Sequence, residues 1–220
     1  MKDNSEIKER VAVVCPGPGA SLIRGREHTY HRIVAVNRAV LATKLVSSWV
    51  CLDAHTFAWV FGHDLDLDHN QSPDFAGEPR RSGFRVNLVC SLAVYRQACS
   101  AHTKLGNFPC VEHTALSLGE TAAGAEAEKI PWKKFGSTVA LAVAAAGPLA
   151  RLPVEQIDCY GVAWDGENDF DGFSHDRQRR DADRWAEDKR VWTATVRLLN
   201  GRGIRVRRIV RKFAEAGATA

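Results

Sequence analysis

Nowhere in the 220 residues does an apolar run approach the roughly 20 positions that a membrane-spanning helix needs. A helical membrane span is therefore excluded. The opening Met1-Lys2-Asp3-Asn4-Ser5-Glu6 carries acids and no apolar core, so no secretory signal is expected and a cytoplasmic setting is inferred. The six cysteines are scattered and include no C-x-x-C pair. Cys15, Cys51, Cys90 and Cys159 lie in apolar runs, where cysteine acts as a small buried hydrophobe, and reduced thiols are expected. Three catalytic signatures are also missing. Without G-x-x-x-x-G-K-[ST] there is no P-loop, and without G-x-G-x-x-G there is no standard dinucleotide fingerprint. Without G-x-S-x-G there is no hydrolase nucleophile elbow.

What is present describes a globular α/β chain. Apolar residues make up 45% and charged residues 25%, the balance of an ordinary soluble domain. Short apolar runs predict strands at 11–15, 33–37, 48–52, 85–89, 156–160 and 204–209. Helical spacing falls between several of them, at 91–100, 137–146 and 181–200. In the longest, Trp185, Val191, Trp192, Thr195, Val196 and Leu199 recur at three- and four-residue steps and mark one buried face, with Asn200-Gly201 as its C-cap. Strands alternating with helices predict a Rossmann-like, mostly parallel, doubly wound sheet. The expected organisation is a single domain over 1–220, with irregular insertions at about 62–82 and 106–132 forming a lid.

In open parallel sheets ligands sit at the carboxyl ends of strands. Four features fall there. "VAVVCPGPGASL" runs a strand into Pro16-Gly17-Pro18-Gly19, where the backbone can turn sharply and a phosphate can come close. Ser21 is placed to cap a helix opening near Leu22; a plain tight turn is the alternative. Asn37 ends "IVAVN" and can bond a base, a ribose or its own turn. Asp53 and His55 end "CLDAH", where Asp53 can orient a substrate, approach a metal or cap the next segment. Gly161 follows the fifth strand. Gly136, Ser137 and Thr138 open an alanine-rich helix, an anion site in principle and an N-cap in any case.

Asp64, Asp66 and Asp68 in "GHDLDLDHN" offer hard oxygens to a cation or form a solvated acidic loop; the EF-hand pattern fails there. His175, in a polar loop beside Arg177, Arg179 and Arg180, is either a general acid or base or a surface histidine. The net charge is +4, and from Arg197 to Lys212 seven basic residues occur with no acid. That run either faces nucleic acid or another polyanion, or lines the solvent side of a terminal element.

Taken in order, "VAVVCPGPGASL" with "VAVN", then "GSTVALAVAAAGPLARLPVEQIDCYGVAWDG", then "SHDRQRRDADRW", resemble the blocks of family 42 bacterial sialyltransferases. The related motility-accessory-factor and hydroxymethylpterin pyrophosphokinase-like proteins share the pattern. The resemblance covers about half the chain. It implies a nucleotide-binding domain in which Gly17, Pro18, Gly19, Ser21 and Asn37 contact the nucleotide, with Ser137, Thr138 and Gly161 near the donor sugar or phosphates. It implies His175 as general base. Ala163 stands where the pattern carries an acid, and Asp165 is the nearest one. The expected activity is transfer of a glycosyl group from a CMP-type nucleotide sugar, without a required metal, to a hydroxyl acceptor that the basic C-terminal run would suit if anionic. The alternatives are an ATP- and Mg²⁺-dependent pyrophosphokinase-like transfer using Asp53, Asp165, Asp64 or Asp66, and a non-catalytic nucleotide-binding module.

Overall fold

The structure, a computed structural model, describes residues 8–60, 87–91, 93–97, 110–112, 132–146, 152–164 and 182–210. Among the described residues seven strands form one sheet: β1 (Glu9–Val14), β2 (Arg32–Val36), β3 (Ser48–Cys51), β4 (Asn87–Cys90), β5 (Cys110–Glu112), β6 (Val154–Tyr160) and β7 (Arg205–Ile209). Their order is β5-β4-β3-β2-β1-β6-β7, and every neighbouring pair is parallel. The chain lays down β1 to β5 in one direction and returns to the other side of β1 for β6 and β7. This is an α/β Rossmann-like fold, and its topological switch point lies between β1 and β6.

The central strands are apolar along their whole length because both faces are covered. One face carries Val11, Val13, Val34, Val36, Val50, Ile157 and Cys159 against helices α2 (Gly136–Ala146) and α3 (Ala182–Gly201). The other carries Ala35, Trp49, Cys51, Leu88 and Cys90 against α1 (Ala54–Trp59), with Ala12, Val14, Ile33 and Tyr160 against the 3₁₀ turn Pro18–Ile23. Cys15, Cys51, Cys90 and Cys159 are free and buried, as their apolar settings predict. No described helix is long and apolar enough to cross a membrane.

Helix α2 is the central packing element. Val139 to Ala144 are all fully buried, and its small side chains let it lie against β1, β2, β3 and β6. Its far end is pinned by a buried guanidinium. Arg32 donates from Nη2 to the Ala144 carbonyl at 2.8 Å and from Nε to Glu9 at 2.7 Å. A cation at a helix C-terminus satisfies orphan carbonyls and opposes the negative end of the helix dipole. The Glu9 carboxylate neutralises that cation in turn.

Several expectations are corrected. Ser21 caps no helix near Leu22: it lies inside the 3₁₀ turn Pro18–Ile23, whose N-cap is Gly17. Gly201 is not the C-cap glycine of α3. The helix runs through Gly201, and Gly203, at φ +81°, takes the left-handed position. Gly203 N–H donates to Asn200 O and Ile204 N–H to Leu199 O, a Schellman closure. Strand β5 lies inside the stretch read as irregular from 106 to 132. Its three residues, Cys-Val-Glu, are too few to show a period. The first insertion, at about 62–82, lies outside the described residues. In α3, Trp185, Val191, Thr195 and Leu199 are buried, as their spacing predicts, while Trp192 and Val196 are only partly buried.

Candidate functional site

The carboxyl ends of β1, β2, β3 and β6 open on one cavity. Its lining runs from Cys15 and Pro16 through Val36, Asn37 and Arg38, then Asp53, Thr56 and Trp59, to Gly161, Val162, Ala163 and Trp164. Gly136 and Ser137 at the start of α2, and Trp185 and Asp188 from α3, close it.

The β1 and β6 tips are drawn together by backbone contacts. Cys15 N–H donates to Tyr160 O at 2.8 Å, and Gly17 N–H to Gly161 O at 2.9 Å. Gly161 has φ +64°, and a Cβ there would stand 2.1 Å from Cys15 O. A Cβ on Gly17 would meet Gly161 O at 2.4 Å. The glycines thus serve approach of the chain to itself. Gly17, Pro18, Gly19 and Ser21 do not line the cavity; Pro16 does. Arg208 braces the same wall, donating from Nε to Val162 O at 3.0 Å with its guanidinium 4.9 Å from the Trp164 ring centre. Trp164 packs edge-on against Trp192 at 5.2 Å.

Asn37 is the described non-glycine residue with positive φ, at 49°. A polar side chain tolerates this left-handed backbone better than most, at a cost of about 1 kcal/mol. The neighbours hold it there. The Trp49 indole N–H donates to the Asn37 carbonyl at 2.8 Å, and Gly136 lies so close that a Cβ would come 2.8 Å from Val36 Cγ1. The first turn of α2 therefore sits directly on the end of β2. Asn37 Oδ1 is buried and has no hydrogen-bond partner among the described residues. Beside it, buried Arg38 lies 4.1 Å over the Trp59 ring.

The acids of the cavity have structural partners. Asp53 caps α1, its Oδ1 accepting from His55 N–H at 2.8 Å and Thr56 N–H at 3.0 Å. This realises the capping alternative while leaving Asp53 in the cavity wall. Ser137 Oγ donates to Asp188 Oδ1 at 3.1 Å and ties α2 to α3. The fully buried Thr138 hydroxyl donates to Phe135 O at 2.9 Å and is turned into the helix start. Burial pushes the thiol of Cys159 up, with neighbouring Cys15 and Asp158 adding to the effect, so it stays protonated.

Of the residues singled out in the sequence, Asn37, Ser137, Gly161 and Asp53 meet at the cavity. Thr138, Gly17, Pro18, Gly19 and Ser21 do not line it. His175, Asp165, Asp64 and Asp66 lie outside the described residues. Arg38, Trp59, Trp164, Trp185 and Asp188 were not anticipated as site residues. The available signal for two of them was their three-residue step: Trp185 and Asp188 fall on one side of α3. Among the described residues no group of three His, Cys, Asp or Glu is gathered to hold a metal. Chemically, the cavity offers a buried guanidinium, an amide acceptor with no donor among the described residues, indole faces and a helix N-terminus. That set suits an anionic, aromatic ligand. No family model matches the chain, and no curated protein or solved structure matches it.

Proposed function

We propose that the cavity binds the nucleotide of an activated donor and that the chain is a nucleotide-dependent transferase, passing a glycosyl group to an acceptor hydroxyl. The observation that carries the nucleotide reading is Asn37. Its backbone is held at an unfavourable φ, and its Oδ1 is buried without a partner among the described residues, at the strand end where α2 opens. A buried unsatisfied acceptor costs about 1–3 kcal/mol, which a ligand N–H or O–H would recover. Backbone strain of this kind concentrates at ligand clamps. Arg38 and the first turn of α2 supply positive potential for phosphates, and Trp59 supplies an aromatic face for a base.

The transfer step rests on the resemblance of the three sequence blocks. In it, His175 takes the acceptor O–H proton, the acceptor oxygen forms the new bond to the sugar carbon, and the bond from that carbon to the phosphate oxygen breaks. The nucleotide leaves with the electron pair. The metal-independent donor of the CMP type rests on the same resemblance; in the cavity, Asp53 and Asp188 each commit one carboxylate oxygen to a structural bond, capping α1 and holding Ser137. A cytoplasmic setting belongs to the same reading and agrees with the four buried free thiols.

The test is release of CMP from a CMP-sugar in the presence of hydroxyl acceptors. Wild type should release CMP, and His175→Ala should abolish release while CMP still binds. Binding of CMP with no release in any acceptor would leave a nucleotide-binding module. Failure to bind any nucleotide would remove both readings.

A further inference from the structure

The sheet face opposite α2 and α3 carries a second polar centre, away from the cavity. Side chains alternate along β6, so Ile157 and Cys159 enter the helical core while Gln156, Asp158 and Tyr160 point the other way. Asp158 is 1% exposed and cross-strand from Arg207 on the edge strand β7. Its carboxylate accepts from Arg207 Nε at 2.8 Å and Nη2 at 3.0 Å, from Arg10 Nη2 at 3.3 Å and from Tyr30 OH at 2.9 Å. Gln156 Nε2 adds bonds at 2.9 and 3.0 Å. The Tyr30 hydroxyl is also 2.6 Å from that of Tyr160.

Among the described residues the charges do not cancel. One buried carboxylate faces two guanidinium groups, and the side chains of Arg10 and Arg207 remain 43% and 46% exposed. Both reach the same oxygen, Oδ2, so the two cations are held side by side. Arg205 stands two residues before Arg207 on the same face and is exposed. At the strand rise it lies about 7 Å away. The Arg10 guanidinium also lies 5.5 Å from the Tyr30 ring centre. Arginines fixed in orientation by a buried acid and a ring, with N–H groups that make no bond among the described residues, make a preorganised fork for a tetrahedral oxyanion.

We propose that Arg10, Arg205 and Arg207 form a phosphate-binding site on this face of β7, distinct from the cavity. The phosphate group belongs either to a small phosphorylated molecule or to the backbone of a single nucleic-acid strand, and Asp158 acts as a positioning residue beneath it. The basic run that the sequence placed either on nucleic acid or on a solvent face thereby has a built centre.

Two probes distinguish the sources: sodium pyrophosphate, and a fluorescent oligo-thymidine strand of about twelve nucleotides, scaled to the site sizes of single-strand binders. Binding is measured at low salt for wild type, Arg205→Gln, Arg10→Gln and the cavity variant Asn37→Gly. Arg205 makes no bond to Asp158, so its variant keeps the strut intact, and a matching unfolding midpoint verifies this. At least one probe should bind saturably, weaken about tenfold with either arginine variant, and be indifferent to Asn37→Gly. If the strand binds, each arginine variant should also lower the slope of log affinity against log salt by about one. Binding of pyrophosphate alone assigns a small phosphorylated ligand. Binding of neither probe, or binding unchanged in both arginine variants, overturns the proposal and leaves the cluster as a strut holding β7 to β1 and β6.

Discussion

Adding one methyl group at three glycines separates backbone strain from close contact at the β1–β6 switch point. Gly203 has φ +81°, and nothing lies within 4 Å of where its methyl group would stand, so Gly203→Ala exposes only the cost of a left-handed backbone. That cost is about 1–2 kcal/mol, reduced by several tenths because alanine also restricts the unfolded chain. Gly17 has φ −67°, which any residue adopts, but its Cβ would meet the Gly161 carbonyl oxygen at 2.4 Å and Ala163 Cβ at 3.0 Å. Gly17→Ala therefore reports contact alone. Backbone cannot rotate away as a side chain would, so about 1–3 kcal/mol is expected. Gly161→Ala combines both effects, with φ +64° and a clash of 2.1 Å against Cys15 O. It should cost about 2–5 kcal/mol, near the sum of the other two. Denaturant unfolding followed by circular dichroism gives the three values. Because the same tips form the cavity wall, the two switch-point variants should also weaken nucleotide binding, and Gly203→Ala should not. A Gly17→Ala protein as stable as wild type would refute the close apposition of β1 and β6.

Three further outcomes follow from the same structure. Asn37→Gly relieves a strained backbone and removes the amide, so stability should hold or rise slightly while nucleotide affinity falls about tenfold, one hydrogen bond's worth, in a titration. Glu9→Gln leaves Arg32 buried without its carboxylate and should cost about 3–5 kcal/mol in denaturant unfolding, since breaking a buried pair strands a charge. Burial works to raise the carboxyl pKa of Asp158, but bonds from Arg207, Tyr30 and Gln156 outweigh it and hold the group below its ordinary value. A carboxyl with a depressed folded pKa contributes stability above its unfolded value near 3.9 and loses it as pH falls through the folded one. Acid unfolding of Asp158→Asn should therefore show a smaller loss of stability below about pH 4 than wild type.

The sheet was legible because its central strands are buried on both faces and read as unbroken apolar runs. The last strand was legible from Ile204, Val206 and Ile209 set among arginines, although Arg207-Arg208 breaks a strict alternation. Strand β5, with three residues, had no period to find. In the site, the convergence of strand ends followed from a general property of parallel sheets, and Asn37, Asp53 and Gly161 do share one cavity, which Ser137 joins from the start of α2. The glycines of "CPGPGAS" were ambiguous in a physical sense. A position where the backbone approaches a phosphate and one where it approaches another strand both exclude a Cβ. Here Gly161, far along the chain, occupies the space beside Gly17. Arg38 over Trp59 escaped notice because contacts between side chains so far apart in sequence depend on register and turn geometry. The pairing of Arg207 with Asp158 was hidden for the same reason: neighbouring strands show their alternation in the sequence, but not which residues face each other.

The central claim is that the cavity at the carboxyl ends of β1, β2, β3 and β6 holds a nucleotide. Thermal unfolding with CMP, CDP, UDP, GDP, ADP and ATP, each with and without Mg²⁺, tests it most directly. At a concentration about a hundredfold above Kd, the matching nucleotide should add about 2.7 kcal/mol and raise the Tm by about 5–10 °C. The expected result is a concentration-dependent rise with CMP that needs no metal and shrinks in Asn37→Gly. A Tm unmoved by every nucleotide, or moved equally in wild type and Asn37→Gly, would contradict the account.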